Sequence, residues 1–235
     1  MNNTKKKSPI SWVPTAYFAM GLPFVVLNMV TVLMFKGLEV DDKLITFWTS
    51  LILLPWTLKP LWSPFLELFR TKKFFVIVTQ LITGVTFGLV AFALNLSHFF
   101  SISIALLAIV AFSGATHDIA CDGVYMSELS NEDQAKFIGW QGAFYNIAKI
   151  LATGGLVYLA GYFIELNADA GLLTANKRAW MIILLILSVT MILLGIYHLF
   201  ALPSTQSASS KKTLRSNKEV MKELGQVLMD FFRKT

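Results

Sequence analysis

Long uninterrupted apolar runs dominate the chain. They lie at about 12–35, 44–66, 75–95, 100–127, 135–164 and 179–202, each near or above the ~20 residues that a helix needs to cross a bilayer. The runs do not alternate, and each far exceeds the ~10 residues of a membrane barrel strand, so strands are a poor fit. Short polar connections separate them: Lys36 to Lys43, Leu68 to Lys73, Asn95 to Phe99, Glu128 to Gln134, and Glu165 to Arg178. The pattern predicts an all-α membrane protein, with six transmembrane helices in one compact bundle over 1–202. Beyond Leu202 the pattern changes. Pro203 to Ser210 is polar and Ser-rich, and from Lys218 to Arg233 the residues Val220, Leu224, Val227, Leu228, Phe231 and Phe232 recur at helical spacing. A linker over 203–235 with an amphipathic helix is expected, either lying on the membrane surface or leading into another membrane segment.

Composition sharpens this picture. Charged residues make up only 14% of the chain, against about a quarter in a soluble domain. One cysteine, Cys121, rules out a disulfide scaffold. The net charge of +6 points to orientation rather than to nucleic acid. With the N-terminus on the cytoplasmic side, that side holds Lys5, Lys6, Lys7, Arg70, Lys72, Lys73, Lys136 and the basic tail. The opposite side holds Lys36, Lys43, Lys177 and Arg178. The positive-inside rule therefore places both termini in the cytoplasm, and the expected location is the cytoplasmic (inner) membrane, multi-pass. The first run is too long for a signal-peptide core and offers no small-residue cleavage site, so it is read as a retained helix.

The fourth run carries the densest intramembrane polar cluster, from Gly114 to Gly123. Asp118 and Asp122 are four apart and share one helix face. Each Asp near a helix centre costs about 2.5–3.5 kcal/mol to insert, so this face should look into protein or a water-filled cavity. Two neighbouring, poorly hydrated carboxylates resist simultaneous ionisation, which suits a group that takes up and releases a proton. His117 sits roughly 100° round the helix; it is a cavity candidate whose expected role is an interhelical hydrogen bond. One Cys beside one His makes no credible metal site, and no cofactor is implied. In the fifth run Gln141, Tyr145 and Lys149 form a polar stripe expected to face the same interior. Lys149, near the midplane, should pair with a carboxylate such as Asp118 or bind an anionic substrate group. Tyr17 and Asn28 of the first run could line the cavity. Lys59, among Pro55, Pro60 and Pro64, is expected to snorkel to the near membrane surface. Gly84 and Gly88 form a GxxxG that allows close helix approach. Glu67, beside the basic turn of Arg70, Lys72 and Lys73, could form a gating ion pair or be ordinary flanking charge.

The segment Lys59-Pro60-Leu61-Trp62-Ser63-Pro64-Phe65-Leu66-Glu67-Leu68-Phe69-Arg70 resembles the second-to-third-helix motif of the major facilitator superfamily. The form is that of its muropeptide permease (AmpG-type) and acetyl-coenzyme A transporter relatives. The run Ala115-Thr116-His117-Asp118-Ile119-Ala120-Cys121-Asp122-Gly123 is similar to the Ala-Thr-Gln-Asp-Ile-Ala-x-Asp signature of the same branch. His117 stands where that signature has Gln, and Glu67 where Asp is common. The resemblance implies a twelve-helix, usually proton-driven carrier of two six-helix halves, with this chain as the N-terminal half and the following linker. It implies a gating role for Glu67, Arg70, Lys72 and Lys73, and the signature acid positions for Asp118 and Asp122.

The expected function is secondary active transport, a proton symporter importing a cell-wall sugar–peptide, with Asp118 and Asp122 as proton-coupling residues. The substrate cavity would be lined by His117, Gln141, Tyr145, Lys149 and Asn28. The expected partners are the lipid bilayer, protons, a small-molecule substrate, and a C-terminal six-helix half or a second subunit. Acetyl-coenzyme A or another anionic metabolite is the alternative cargo, and a dimerising six-helix scaffold an alternative class. An intramembrane aspartyl protease needs carboxylates meeting across one scissile bond, whereas Asp118 and Asp122 stack along one helix; no enzyme is expected.

Overall fold

The computed structural model describes residues 7–69 and 71–203, except for the side chains of 65 and 67–69. The tail expected to form an amphipathic helix lies outside the described residues. Six helices are long and apolar enough to cross a membrane: α1 (Pro9–Gly37), α2 (Asp42–Pro64), α3 (Lys72–Ala93), α4 (Phe99–Glu128), α5 (Asn131–Leu166) and α6 (Leu172–Ala201). No strand occurs among the described residues.

Local chemistry sets the helix starts. Asp41 caps α2 by accepting from the amides of Lys43 and Leu44 at 2.9 and 3.3 Å. Thr71 and Ser130 do the same for α3 and α5 through Phe74 and Asp133, each taking up an otherwise orphaned N–H. Before α6 the chain turns at Gly171, whose φ of 85° only a residue without Cβ adopts freely.

Three of the helices are not regular. In α1 a wide, π-type turn spans Val26–Val30, directly after Pro23. A proline inside a helix removes one N–H and crowds the preceding turn, and local rewinding absorbs this. A second wide turn, Leu151–Leu156 in α5, contains Gly154 and Gly155 and lies against the first. In α2 the helix is interrupted at Leu53, just ahead of Pro55, and resumes at Leu54 to run past the apolar span, ending at Phe69. This break sets the bearing of the half-helix that carries Trp56 and Lys59.

Between lipid-immersed helices no hydrophobic drive operates, so close packing over small residues holds them. A Cβ on Gly84 would lie 2.7 Å from Ile192 Cγ1 and 3.0 Å from the Ser188 carbonyl oxygen, so the GxxxG of α3 is where α6 approaches. Gly21 brings α1 equally close to α5: its Cβ would meet Ala148 Cβ and the Tyr145 carbonyl oxygen at 2.9 Å. Two apolar clusters result. One includes Phe35, Phe87, Leu107, Ile183 and Leu187. The other includes Trp12, Val76, Val124, Tyr125 and Leu202. Along α3, α4 and α6 the buried polar residues Gln80, His117, Asp118 and His198 fall between them.

Candidate functional site

The site grows from α4. Gly114, Asp118 and Asp122 stand at successive helical turns on one face. A Cβ at Gly114 would sit 2.9 Å from Trp56 Cζ2. Its absence lets the indole of α2 lie against α4, where Nε1 donates to Asp118 Oδ2 at 2.9 Å. Phe24 of α1 meets the indole edge-on with centroids 5.2 Å apart. Lys59, one turn along α2 from Trp56, brings Nζ to 2.6 Å from the same oxygen. The Asp118 side chain is only 10% exposed, and its other oxygen, Oδ1, is buried with no partner. An unmet buried acceptor costs about 1–3 kcal/mol, so this oxygen marks a place where a proton or a donor would be welcome.

This overturns one expectation and narrows another. Lys59 does not snorkel away. It and Asp118 each lie about 15 Å, at ~1.5 Å per residue, from the end of their helices, and attraction between charges at one depth in a poorly hydrated interior outweighs release of the ammonium to water. Lys149 therefore does not pair with Asp118. It is exposed and makes no ion pair among the described residues.

Asp122 lives differently. It is exposed, and Tyr17 Oη donates to its Oδ1 at 2.8 Å. Gln141 Nε2 donates in turn to Tyr17 Oη at 2.9 Å. Tyr17 itself is buried, edge-on to Tyr125 with centroids 5.9 Å apart. The polar stripe of α5 thus meets α4 through α1. Tyr145, half-buried, packs its ring beside Gly21 and lies within electrostatic reach of Asp118. Asn28 is exposed in the wide turn of α1.

His117 belongs to another neighbourhood. The ~100° step per residue turns it away from Asp118, and it is buried against α3 rather than lining a cavity. There Gln80 Nε2 and His117 Nε2 lie 3.0 Å apart, while Gln80 Oε1 is 2.9 Å from His198 Nδ1 of α6. His198 Nε2 is 2.9 Å from Thr15 Oγ1 of α1. The chain Thr15–His198–Gln80–His117 ties four helices together. One amide end donates and the other accepts, so Gln80 forces the two imidazoles into complementary roles. His117 Nδ1 is left buried without a partner.

Of the gating candidates, Arg70 and the side chain of Glu67 lie outside the described residues. The stem of Lys72 lies over Gly123, where a Cβ would be 2.7 Å from Lys72 Cδ. Lys73 Nζ donates to the Leu202 carbonyl at 2.8 Å, tying the start of α3 to the end of α6.

Sequence reasoning did not single out Trp56, Gly114, Gln80, His198 or Thr15. Gln80 and His198 carried a usable signal: each is a strongly polar side chain within an apolar run, which must find a partner in a neighbouring helix. The chain matches no family model, no curated protein and no solved structure. Six apolar helices around a polar interior define a multi-pass, α-helical membrane protein.

Proposed function

We propose that the chain is the N-terminal six-helix half of a proton-coupled secondary transporter of the major facilitator superfamily, in the muropeptide permease and acetyl-coenzyme A transporter branch. Asp118 carries this reading. A carboxylate deep in the membrane, with one oxygen shared by an ammonium and an indole N–H and the other unmatched, is built to change its charge. Ionised, it holds Lys59 and so ties α4 to α2. Protonated, it loses its hold on the ammonium, and that ion pair between the two helices is released.

The packing supports a half-carrier. The contact of α1 with α5 is matched by that of α4 with α2, and α1 with α6 by α4 with α3; α1 meets α4, and α3 meets α6. Exchanging the first three helices for the last three maps these contacts onto one another, as expected of two three-helix units of opposite orientation. In this reading the basic end of the bundle and both termini face the cytoplasm, and Glu67, Arg70, Lys72 and Lys73 form the gate there. Substrate lies between this half and a second half or subunit, touching Gln141, Tyr145, Lys149 and Asn28. His117 is withdrawn from that lining.

A muropeptide or similar sugar–peptide is the proposed cargo. The exposed, unpaired Lys149 gives an anionic metabolite such as acetyl-coenzyme A a specific claim as alternative. The test uses the full-length protein in liposomes under an imposed proton gradient. Labelled muropeptide should accumulate in the wild type, acetyl-coenzyme A should compete only if the alternative holds, and Asp118→Asn should insert normally yet accumulate nothing. Gradient-independent uptake would remove proton coupling from the account.

A further inference from the structure

The α4 carboxylates outnumber their cations. Among the described residues Lys59 is the one cation within ion-pair distance of either acid, and it sits on Asp118. Asp118 and Asp122 are separated by about 6 Å of helix rise, and in a helix side chains lean towards the N-terminus, so the Asp122 carboxylate leans back towards the turn of Asp118. Lys59 is half-buried, with its side chain 27% exposed, and swings on a flexible four-carbon stem. Asp122 holds only the neutral Tyr17 hydroxyl, on Oδ1. Trp56, by contrast, stays on Asp118 whether that group is charged or neutral, because an indole N–H can donate to either form.

We propose that Lys59 is an exchanging counter-ion. It pairs with Asp118 while that group is ionised and moves one helical turn to Asp122 when Asp118 takes a proton. The move keeps the ammonium against a carboxylate throughout, so the lysine charge is never stranded in the membrane. The groups near this exchange are Trp56 from α2, Tyr17 from α1, Tyr145 from α5, Cys121 on α4 itself and, from α3, Lys72, whose stem lies over Gly123 next to Asp122; among the described residues Lys59 is the cation that pairs with an α4 acid. The inference rests on the reading of Asp118 as the proton-exchanging group.

An apolar carbodiimide tests it in the full-length protein in lipid nanodiscs. The reagent activates a carboxyl, and an adjacent lysine amine then forms an amide with it while the carbodiimide leaves as its urea. Proteolysis and mass spectrometry read which acid was joined. The wild type at neutral pH should give the Lys59–Asp118 link, and Asp118→Asn should give Lys59–Asp122 instead. If that variant does not fold, Asp118→Ser serves as the second variant at the same neutral pH, and should give the Lys59–Asp122 link in its place. A folded variant that yields no Lys59–Asp122 link overturns the exchange. Uptake separates this from the wider reading: lost transport without the new link refutes only the exchange, whereas unchanged transport in Asp118→Asn refutes the proton role itself.

Discussion

The two sides of α4 solve the same problem in opposite ways. On one side Asp118 is paired with Lys59 and has its Oδ1 unmatched, while Asp122 one turn on has the Tyr17 hydroxyl. On the other, His117 joins a neutral chain through Gln80 and His198 to Thr15, with Gln80 and His198 wholly buried. A neutral chain running through four helices, with His117 Nδ1 its one unmatched end, holds the bundle in register but has no charge to exchange. A charged pair with one spare oxygen is a poorer brace and a better switch. Neighbouring residues on one helix can thus serve unlike purposes, because each step along the helix turns the side chain by ~100°.

The largest effect that would break this comparison comes from stranding a charge. Lys59→Leu leaves Asp118 buried without its cation and should lower stability by about 3–5 kcal/mol, with much of the loss recovered in Lys59→Leu/Asp118→Asn. Thermal unfolding in detergent measures both; an unchanged melting temperature in the single variant would mean that the pair carries no weight. On the histidine side, Gln80→Leu leaves both imidazoles without their amide partner, at about 1–3 kcal/mol for each orphaned group. Its effect should fall on stability, with proton-driven uptake retained by the protein that survives. Gly114→Ala is next. The new methyl would press on the indole of Trp56, with a loss of about 1–3 kcal/mol and a shift in tryptophan emission as Nε1 leaves Asp118. The smallest change is Tyr17→Phe. Asp122 is exposed, so water replaces the lost hydroxyl, and the melting measurement should register only about 0.5–1.5 kcal/mol.

Six membrane helices were legible because each apolar run is long, continuous and closed by polar residues, and no other periodicity competes. The shared face of Asp118 and Asp122 was equally legible, since spacing along one helix fixes it. Partners across helices were not. Lys59 reads as a residue free to snorkel because its own helix says nothing of α4, and Lys149 reads as midplane and available for Asp118. The break at Leu53 and the gap above Gly114 decide the matter, and both are properties of how α2 meets α4. His117 shows the same limit: its hydrogen-bonding role followed from helix geometry, whereas its assignment to the cavity needed knowledge of which helix lies beside it.

The central claim is that the charged side of α4 exchanges the proton and the histidine side does not. Proton-gradient-driven uptake by Asp118→Asn and His117→Gln, compared in the same liposomes at matched protein content, tests it most directly. The account predicts no accumulation in the first variant and uptake close to wild type in the second, whose amide keeps a partner for Gln80. Retained uptake in Asp118→Asn, or its complete loss in a well-folded His117→Gln, would contradict it.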